Sequence, residues 1–234
     1  MSLKTNLRSL GEKLDALNPV EGLAMLSDLF PSKVVFSTSL GQEDQVITQM
    51  IADNKLNIHI FSLDTGRLFP ETLDLIARTE QKYRTRIEVL YPERRSVEPL
   101  VTKNGINGFY ESVENRKACC FVRKVEPLQR ALAGNSIWVT GLRAEQSPNR
   151  SSMKRIEWDE GNQIIKFNPL LDWTYDQMLD YINQNKIPYN PLHDKGFISI
   201  GCAPCTRAIE PGEDPRAGRW WWEESKKECG LHAR

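Results

Sequence analysis

Val34-Val-Phe-Ser37-Thr-Ser39-Leu-Gly41-Gln-Glu-Asp44 passes from a short apolar run, through small and polar residues, into acids that open a helical pattern. Val46, Ile47, Met50 and Ile51 continue it at helical spacing, so the stretch reads as strand, loop and helix in succession. A loop of this kind lets backbone N–H groups and hydroxyls approach an anion at the positive end of a helix. It is equally the pattern of a plain strand-to-helix turn with a serine cap. The stretch therefore speaks to the fold before it speaks to a ligand.

Working outward, the same alternation recurs. Leu7, Leu10, Leu14 and Leu17 share one helical face, and Pro19 to Phe30 reads as a second helix with Leu23, Leu26, Leu29 and Phe30 inward. Ile58–Phe61 and Ile87–Leu90 read as strands on either side of a helix from Pro70 to Tyr83. Glu114 to Leu132 reads as one helix, Ile137–Thr140 as a fourth strand, and Arg155–Trp158 with Gln163–Phe167 as a hairpin turning at Asp159–Asn162. Thr174 caps a helix that runs to about Asn185. The fold class expected is α/β, with a mostly parallel sheet flanked by helices and ligands at the carboxyl ends of its strands. Beyond Cys205 the chain turns rich in Pro, Gly and charge, and 206–234 reads as a mobile C-terminal tail.

Composition excludes several classes. With 234 residues, 40% hydrophobic and 26% charged, the chain is of a globular type able to bury a core. Thirty-one basic residues balance 31 acidic ones, so no bulk charge attracts nucleic acid or a membrane, and any anion site must be local. No signal peptide and no apolar run of membrane-spanning length is present, which points to the cytoplasm. In that reducing compartment the five cysteines favour metal binding or catalysis over disulfides, and an odd count leaves one thiol over.

Two further loops follow predicted strands. Leu63-Asp64-Thr65-Gly66 ends the second, and Gly141-Leu-Arg143-Ala-Glu-Gln-Ser-Pro-Asn-Arg150 follows the fourth. Arginine forks suit phosphate and sulfate oxygens. Three phosphate-compatible loops after three strands point to a nucleotide-type pocket drawing on Ser37, Ser39, Gly41, Asp64, Thr65, Gly66, Arg143 and Arg150.

The cysteines fall in three places: the tandem Cys119-Cys120, Cys202-Ala-Pro-Cys205, and Cys229 five residues before the end. The first four could bind zinc, an iron–sulfur cluster, or nothing. Adjacent side chains on a helix diverge by about 100°, which suits different irons of one cubane better than one tetrahedral ion. Lys124 follows Cys120 by one helical turn and returns to its face, whereas Arg123 is expected to point away into solvent. No role suggests itself for Arg116 or Lys117.

Taken together, these segments resemble the adenosine 5′-phosphosulfate (APS) reductases of assimilatory sulfate reduction, a branch of the adenine-nucleotide alpha-hydrolase fold shared with ATP pyrophosphatases. The resemblance runs from Ser37 to His232 and rests on Leu63–Gly66, Cys119-Cys120, the Gly-x-Arg-x-x-Gln-Ser-x-x-Arg segment at Gly141–Arg150, Cys202-x-x-Cys205 and Glu228-Cys229-Gly-Leu-His232. The first loop has one glycine where the ATP-cleaving relatives have two, consistent with a substrate lacking a β,γ-phosphate site. The resemblance implies that Cys119, Cys120, Cys202 and Cys205 hold a [4Fe-4S] cluster and that Lys124 links it electrostatically to the substrate. It also implies substrate contacts from Arg216, Arg219 and His232, and a catalytic nucleophile at Cys229.

The expected reaction is thioredoxin-dependent reduction of APS to sulfite and AMP through an S-sulfocysteine on Cys229, serving sulfate assimilation and cysteine biosynthesis. The partners expected are APS and thioredoxin or a similar dithiol protein, with no nucleic acid and no membrane; self-association is open. Residues 1–205 would form the nucleotide-binding reductase domain with its cluster, and 206–234 a catalytic tail. Arg216 and Arg219 would travel with that tail, and Trp220-Trp-Trp222 would seat a short tail helix or dock a partner. Three alternatives stand beside this reading: a reductase for the 3′-phosphorylated substrate, a nucleotide-activating tRNA-thiolation enzyme, and a non-catalytic metal-binding interaction module.

Overall fold

A computed structural model of the chain describes residues 4, 7–147, 150 and 152–223. The chain divides into two compact units: Met1–Ser62, Glu71–Glu88 and Gly134–Asn190 form the first, and Leu63–Pro70, Val89–Ala133 and Pro191–Arg234 the second. Neither follows the expected boundary at residue 205.

The first unit is built on a sheet. Its strands are β1 (Val34–Thr38), β2 (His59–Leu63), β4 (Ile137–Val139), β5 (Ile156–Asp159) and β6 (Ile164–Phe167), and β3 (Glu88–Leu90) is where the chain passes into the second unit. The order is β3-β2-β1-β4-β6-β5. β1 pairs in parallel with β2 and β4, β4 pairs in parallel with β6, and β5 is the antiparallel arm of the expected hairpin. Strands read as continuous apolar runs because both faces are covered: Val34, Val35 and Phe36 are all buried. The covering helices are α1 (Leu7–Leu14), α2 (Pro19–Leu29), α3 (Gln42–Asp53), α4 (Pro70–Tyr83) and α8 (Tyr175–Gln184). Capping boxes start α2 at Asn18 and α8 at Thr174.

The strand order reverses between β1 and β4, the switch point at which open α/β sheets place ligands. The loops after these two strands are the serine loop and Gly141–Arg150. Under the sheet, Trp138 is 1% exposed and its indole Nε1 donates to the Ser37 hydroxyl at 2.8 Å.

The second unit is helical and irregular. It holds α5 (Arg94–Asn104), α6 (Val113–Cys120) and α7 (Glu126–Leu132), with a π-helical turn over Phe121–Val125 between the last two. The single helix expected from Glu114 to Leu132 is thus three segments. Helix α5 has Pro99 inside it and only a brief, half-buried apolar face of Val97, Leu100 and Val101, too short a period to announce a helix. No helix among the described residues is long and apolar enough to cross a membrane.

Replacing Trp138 by Phe keeps most of the buried ring but removes the donor to Ser37, and should cost about 1 kcal/mol. Replacement by Ala opens a cavity at the sheet centre and should cost about 3–5 kcal/mol, both read by urea denaturation.

Candidate functional site

In the first unit, the serine loop closes around a carboxylate of its own. Leu40 adopts a left-handed φ of 62°, and its N–H donates to the Thr38 hydroxyl at 3.0 Å. Ser39 then donates twice to Asp44 Oδ2, from its backbone N–H at 2.5 Å and its hydroxyl at 2.7 Å. Helix α3 starts with Gly41 as N-cap and no side-chain cap, so Asp44 in its first turn ties the loop down instead. The β4 loop passes very close: a Cβ on Gly141 would stand 2.0 Å from Asp44 Oδ1, so only glycine fits there. Burial pushes the Asp44 carboxyl up to about 7, with the Glu43 charge adding to it, against the Ser39 bonds and the Arg150 charge that pull it down.

Arg143 is buried and engaged. Its Nε donates to Glu43 at 2.9 Å and one Nη to Glu145 at 2.8 Å, with the guanidinium over the Tyr175 ring. It braces the β4 loop against α3 rather than presenting an open fork. Arg150 donates to the Gln146 side-chain Oε1, which also accepts the Arg143 backbone N–H at 3.1 Å.

In the second unit, Asp64, Thr65 and Gly66 form a tight turn in which Asp64 Oδ1 accepts the Gly66 N–H at 2.8 Å. Thr65, expected on the nucleotide side, lies with its Oγ1 3.2 Å from Cys202 Sγ, and its carbonyl accepts from Arg123 at 2.7 Å. Arg123 is therefore not solvated. It follows Cys119 by one helical turn just as Lys124 follows Cys120, and both cations are only 9% exposed. The π turn that contains them is a local widening of the kind found at functional sites.

The Cys-x-x-Cys segment is held from three sides. Ala203 N–H donates to the Arg67 carbonyl at 2.8 Å, the Tyr110 hydroxyl donates to the Pro204 carbonyl at 2.6 Å, and Trp220 N–H donates to the Cys205 carbonyl at 3.2 Å. Gly201 leaves room for Arg219, whose Nη2 a Cβ there would approach to 2.4 Å. Cys119, Cys120, Cys202 and Cys205, all free thiols, line one cavity with the cations Arg67, Arg116, Arg123 and Lys124.

Burial pushes the Cys205 thiol up to about 12 and raises Cys119 as well. Burial acts the same way on Cys202, but Lys124, the Thr65 hydroxyl, Arg219 and Arg123 outweigh it and the net direction is down. Among the described residues no three Cys, His, Asp or Glu side chains converge as a ligand set for one ion. Four sulfurs around a shared, cation-lined space fit a polynuclear cluster, whose irons take one sulfur each.

The chain beyond Cys205 corrects the expectation of a tail as far as residue 223. Thr206 bridges to Arg219, Trp220 is 1% exposed, and Glu223 is buried against Arg116. Arg219 is 7% exposed, held to Ser199 at 3.2 Å, so it does not travel. Arg216 precedes it, its N–H donating to Asp214 at 2.8 Å. Trp220–Trp222 form turns, not a helix: Trp220 is buried at a φ of 42°, and Trp222 packs edge-on to Tyr110 at 4.4 Å. Cys229 and His232 lie outside the described residues. Arg116 and Arg67 went unassigned in the sequence, although Arg116 stands one helical turn before Cys120, a spacing that could have found it.

The Phosphoadenosine phosphosulfate reductase domain family matches residues 33–208. An adenosine 5′-phosphosulfate reductase of Allochromatium vinosum is 56% identical over 202 residues, covering 86% of this chain and 79% of that protein. One from Sinorhizobium fredii (strain USDA 257) is 51% identical over 232 residues, covering 99% of this chain and 92% of that protein. Among solved structures, a phosphoadenylyl-sulfate (PAPS) reductase from Candida auris in a phosphate complex superposes with a TM-score of 0.74 at 32% identity, covering 87% of this chain and 96% of that one. A Candida glabrata FMN adenylyltransferase, at a TM-score of 0.56 and 15% identity over 100% of this chain and 78% of that one, shares the fold.

The Asp44 carboxyl gives a pH signature. A carboxyl raised to about 7 in the folded protein, but ordinary when unfolded, favours folding below the usual carboxylate range and loses that contribution as pH rises through about 7. Asp44→Asn keeps an acceptor for Ser39 without the charge. Its unfolding free energy should therefore gain on wild type by about 2–3 kcal/mol between pH 5 and pH 8, measured by denaturant titration.

Proposed function

The chain belongs to the phosphoadenosine phosphosulfate reductase family, and we propose that Cys229 is the nucleophile with which it reduces adenosine 5′-phosphosulfate. The protein is an oxidoreductase acting on sulfur groups, and its reaction is the reduction of APS in sulfate assimilation. The observation that carries the finer reading is the cavity where four free cysteines meet Arg67, Arg116, Arg123 and Lys124. Such a site suits a [4Fe-4S] cluster held by Cys119, Cys120, Cys202 and Cys205. Thiolate ligands must be deprotonated, and the surrounding cations favour that form. When bound, the cluster supplies a fixed scaffold and charge beside Lys124.

The Cys229 thiolate attacks the sulfur of APS in line with the sulfur–oxygen bond to the phosphate. That bond breaks, AMP leaves with the bonding electron pair on its phosphate oxygen, and Cys229 carries an S-sulfonate. A thioredoxin-type dithiol then attacks Cys229 Sγ as a thiolate, expelling sulfite. Its second thiol loses a proton and attacks the mixed disulfide, restoring the Cys229 thiolate. The dithiol supplies both electrons, and its disulfide is the oxidised product.

Both departing groups are anionic, so the protein's part is charge stabilisation. Within the first unit we assign Ser37, Ser39, Gly41 and Arg150 to the substrate phosphate, and Arg143 to bracing that loop. The raised Asp44 carboxyl supports this, since a group that titrates at about 7 repels an anion less than a fully ionised carboxylate. Within the second unit Lys124, Arg216 and Arg219 are assigned to substrate anionic groups, whereas the turn of Asp64, Thr65 and Gly66 is taken up by its own Asp64–Gly66 bond and by the Thr65 contact to Cys202. Lys124 and Arg219 support it by acting electrostatically on Cys202. His232 is assigned to the Cys229 end of the chain.

Mass spectrometry after incubation with APS should find one sulfonate on Cys229 in the wild-type protein. Cys229→Ser should take up none and release no sulfite, with iron content and visible absorbance retained; sulfite release by that variant would sink the nucleophile assignment. Cys202→Ser, by contrast, should lose iron and its absorbance together.

A further inference from the structure

Arg116 and Glu223 face each other fork to fork in the second unit, Nε to Oε1 at 2.9 Å and Nη2 to Oε2 at 2.8 Å, with side chains only 2% and 4% exposed. The same guanidinium lies over the Trp220 ring at 4.7 Å and lines the cysteine cavity beside Cys120, one helical turn on, to which it is electrostatically coupled. A buried ion pair is costly, and packing alone is served as well by apolar residues of similar volume. What distinguishes this pair is what it joins. One end lines the cavity of the four cysteines; the other is Glu223, six residues before Cys229.

We infer that Arg116 is a positioning residue: by gripping Glu223 beside Cys120, it makes the occupied four-cysteine centre a condition for holding the base of the Cys229 segment in place. The inference rests on the reading of Cys229 and the cluster given above. Two backbone bonds complete the base, Trp220 N–H to the Cys205 carbonyl at 3.2 Å and Glu223 N–H to the Trp220 carbonyl at 2.9 Å. Whatever path follows, six residues span at most about 20 Å, so the place of Glu223 bounds the reach of the thiol. Releasing that base widens the volume the thiol searches and so lowers the fraction of time it spends in attack geometry.

Hydrogen exchange on the full-length, iron-loaded protein tests this without reference to activity. Glu223→Gln should raise exchange at the Trp220 and Glu223 amides at least tenfold, with iron content and α7 protection unchanged. Removing iron from the wild type with a chelator should raise exchange at the same two amides. Removing it from Glu223→Gln should add little more, the non-additivity expected of one connected device. In parallel, APS-dependent sulfonation of Cys229 in Glu223→Gln should slow about tenfold or more while the Kd for APS stays within twofold.

Unchanged amide protection in the variant, or strictly additive effects of substitution and iron removal, would overturn the inference. So would wild-type sulfonation rates in a fully loaded Glu223→Gln protein. Should the variant not fold, the iron-removal arm on the wild type decides, since unaltered protection at Trp220 and Glu223 there also overturns it. A wild-type protein that takes up no sulfonate overturns the role of Cys229, leaving the exchange measurements to judge the clamp separately.

Discussion

Four sulfurs that share one buried cavity repel one another as thiolates, and much of the second unit is arranged around that constraint. Burial alone drives such thiols toward the neutral form, as it does for Cys119 and Cys205. The counterweight is a ring of cations on the same cavity, three of them from the α6–π–α7 segment that also carries two of the cysteines. The three arginines are each held by something further out: Arg67 by the Ile106 carbonyl and Asn107, Arg123 by the Thr65 carbonyl, Arg116 by Glu223. The centre and its supports therefore form one network.

The first unit answers a different electrostatic problem with similar means. The loop after β1 leads into two acids at the start of α3. Glu43 is neutralised by Arg143, while burial favours the protonated form of Asp44 against two Ser39 donors that favour the charged one. The glycine at 141 is what lets the β4 loop close on Asp44. Backbone shape and charge state are thus set by the same few contacts.

Much of this was legible in the chain itself. Strands with both faces covered, Ser/Gly loops at their ends and two cysteine pairs announce themselves through local pattern, and the sheet and the four-cysteine cavity follow that pattern. What stayed hidden was non-local or lacked periodicity. Helix α5 has only a short, half-buried apolar face, interrupted by Pro99. Arg123 and Arg116 look like surface residues until a partner from elsewhere in the chain, Thr65 or Glu223, accounts for their burial. Residues 206–223 have the composition of a tail, yet single long-range bonds fasten them, and no window of sequence contains those bonds. Thr65 was read with the phosphate loops because its neighbours are, but its hydroxyl points at sulfur.

The π turn at Phe121–Val125 carries a consequence for how this sequence can change. A π turn accommodates one residue more than the α-helix around it, so its length is counted in whole residues. Losing one would let the turn close as ordinary α-helix, with α7 keeping its phase relative to α6, because the extra residue is what the wider turn absorbs. A deletion at Phe121 or Val122 would instead be felt inside the turn, shortening the four-residue spacings from Cys119 to Arg123 and from Cys120 to Lys124 to three. The segment is therefore tolerant of spelling and intolerant of length at those two positions, even though the helices on either side would keep their faces.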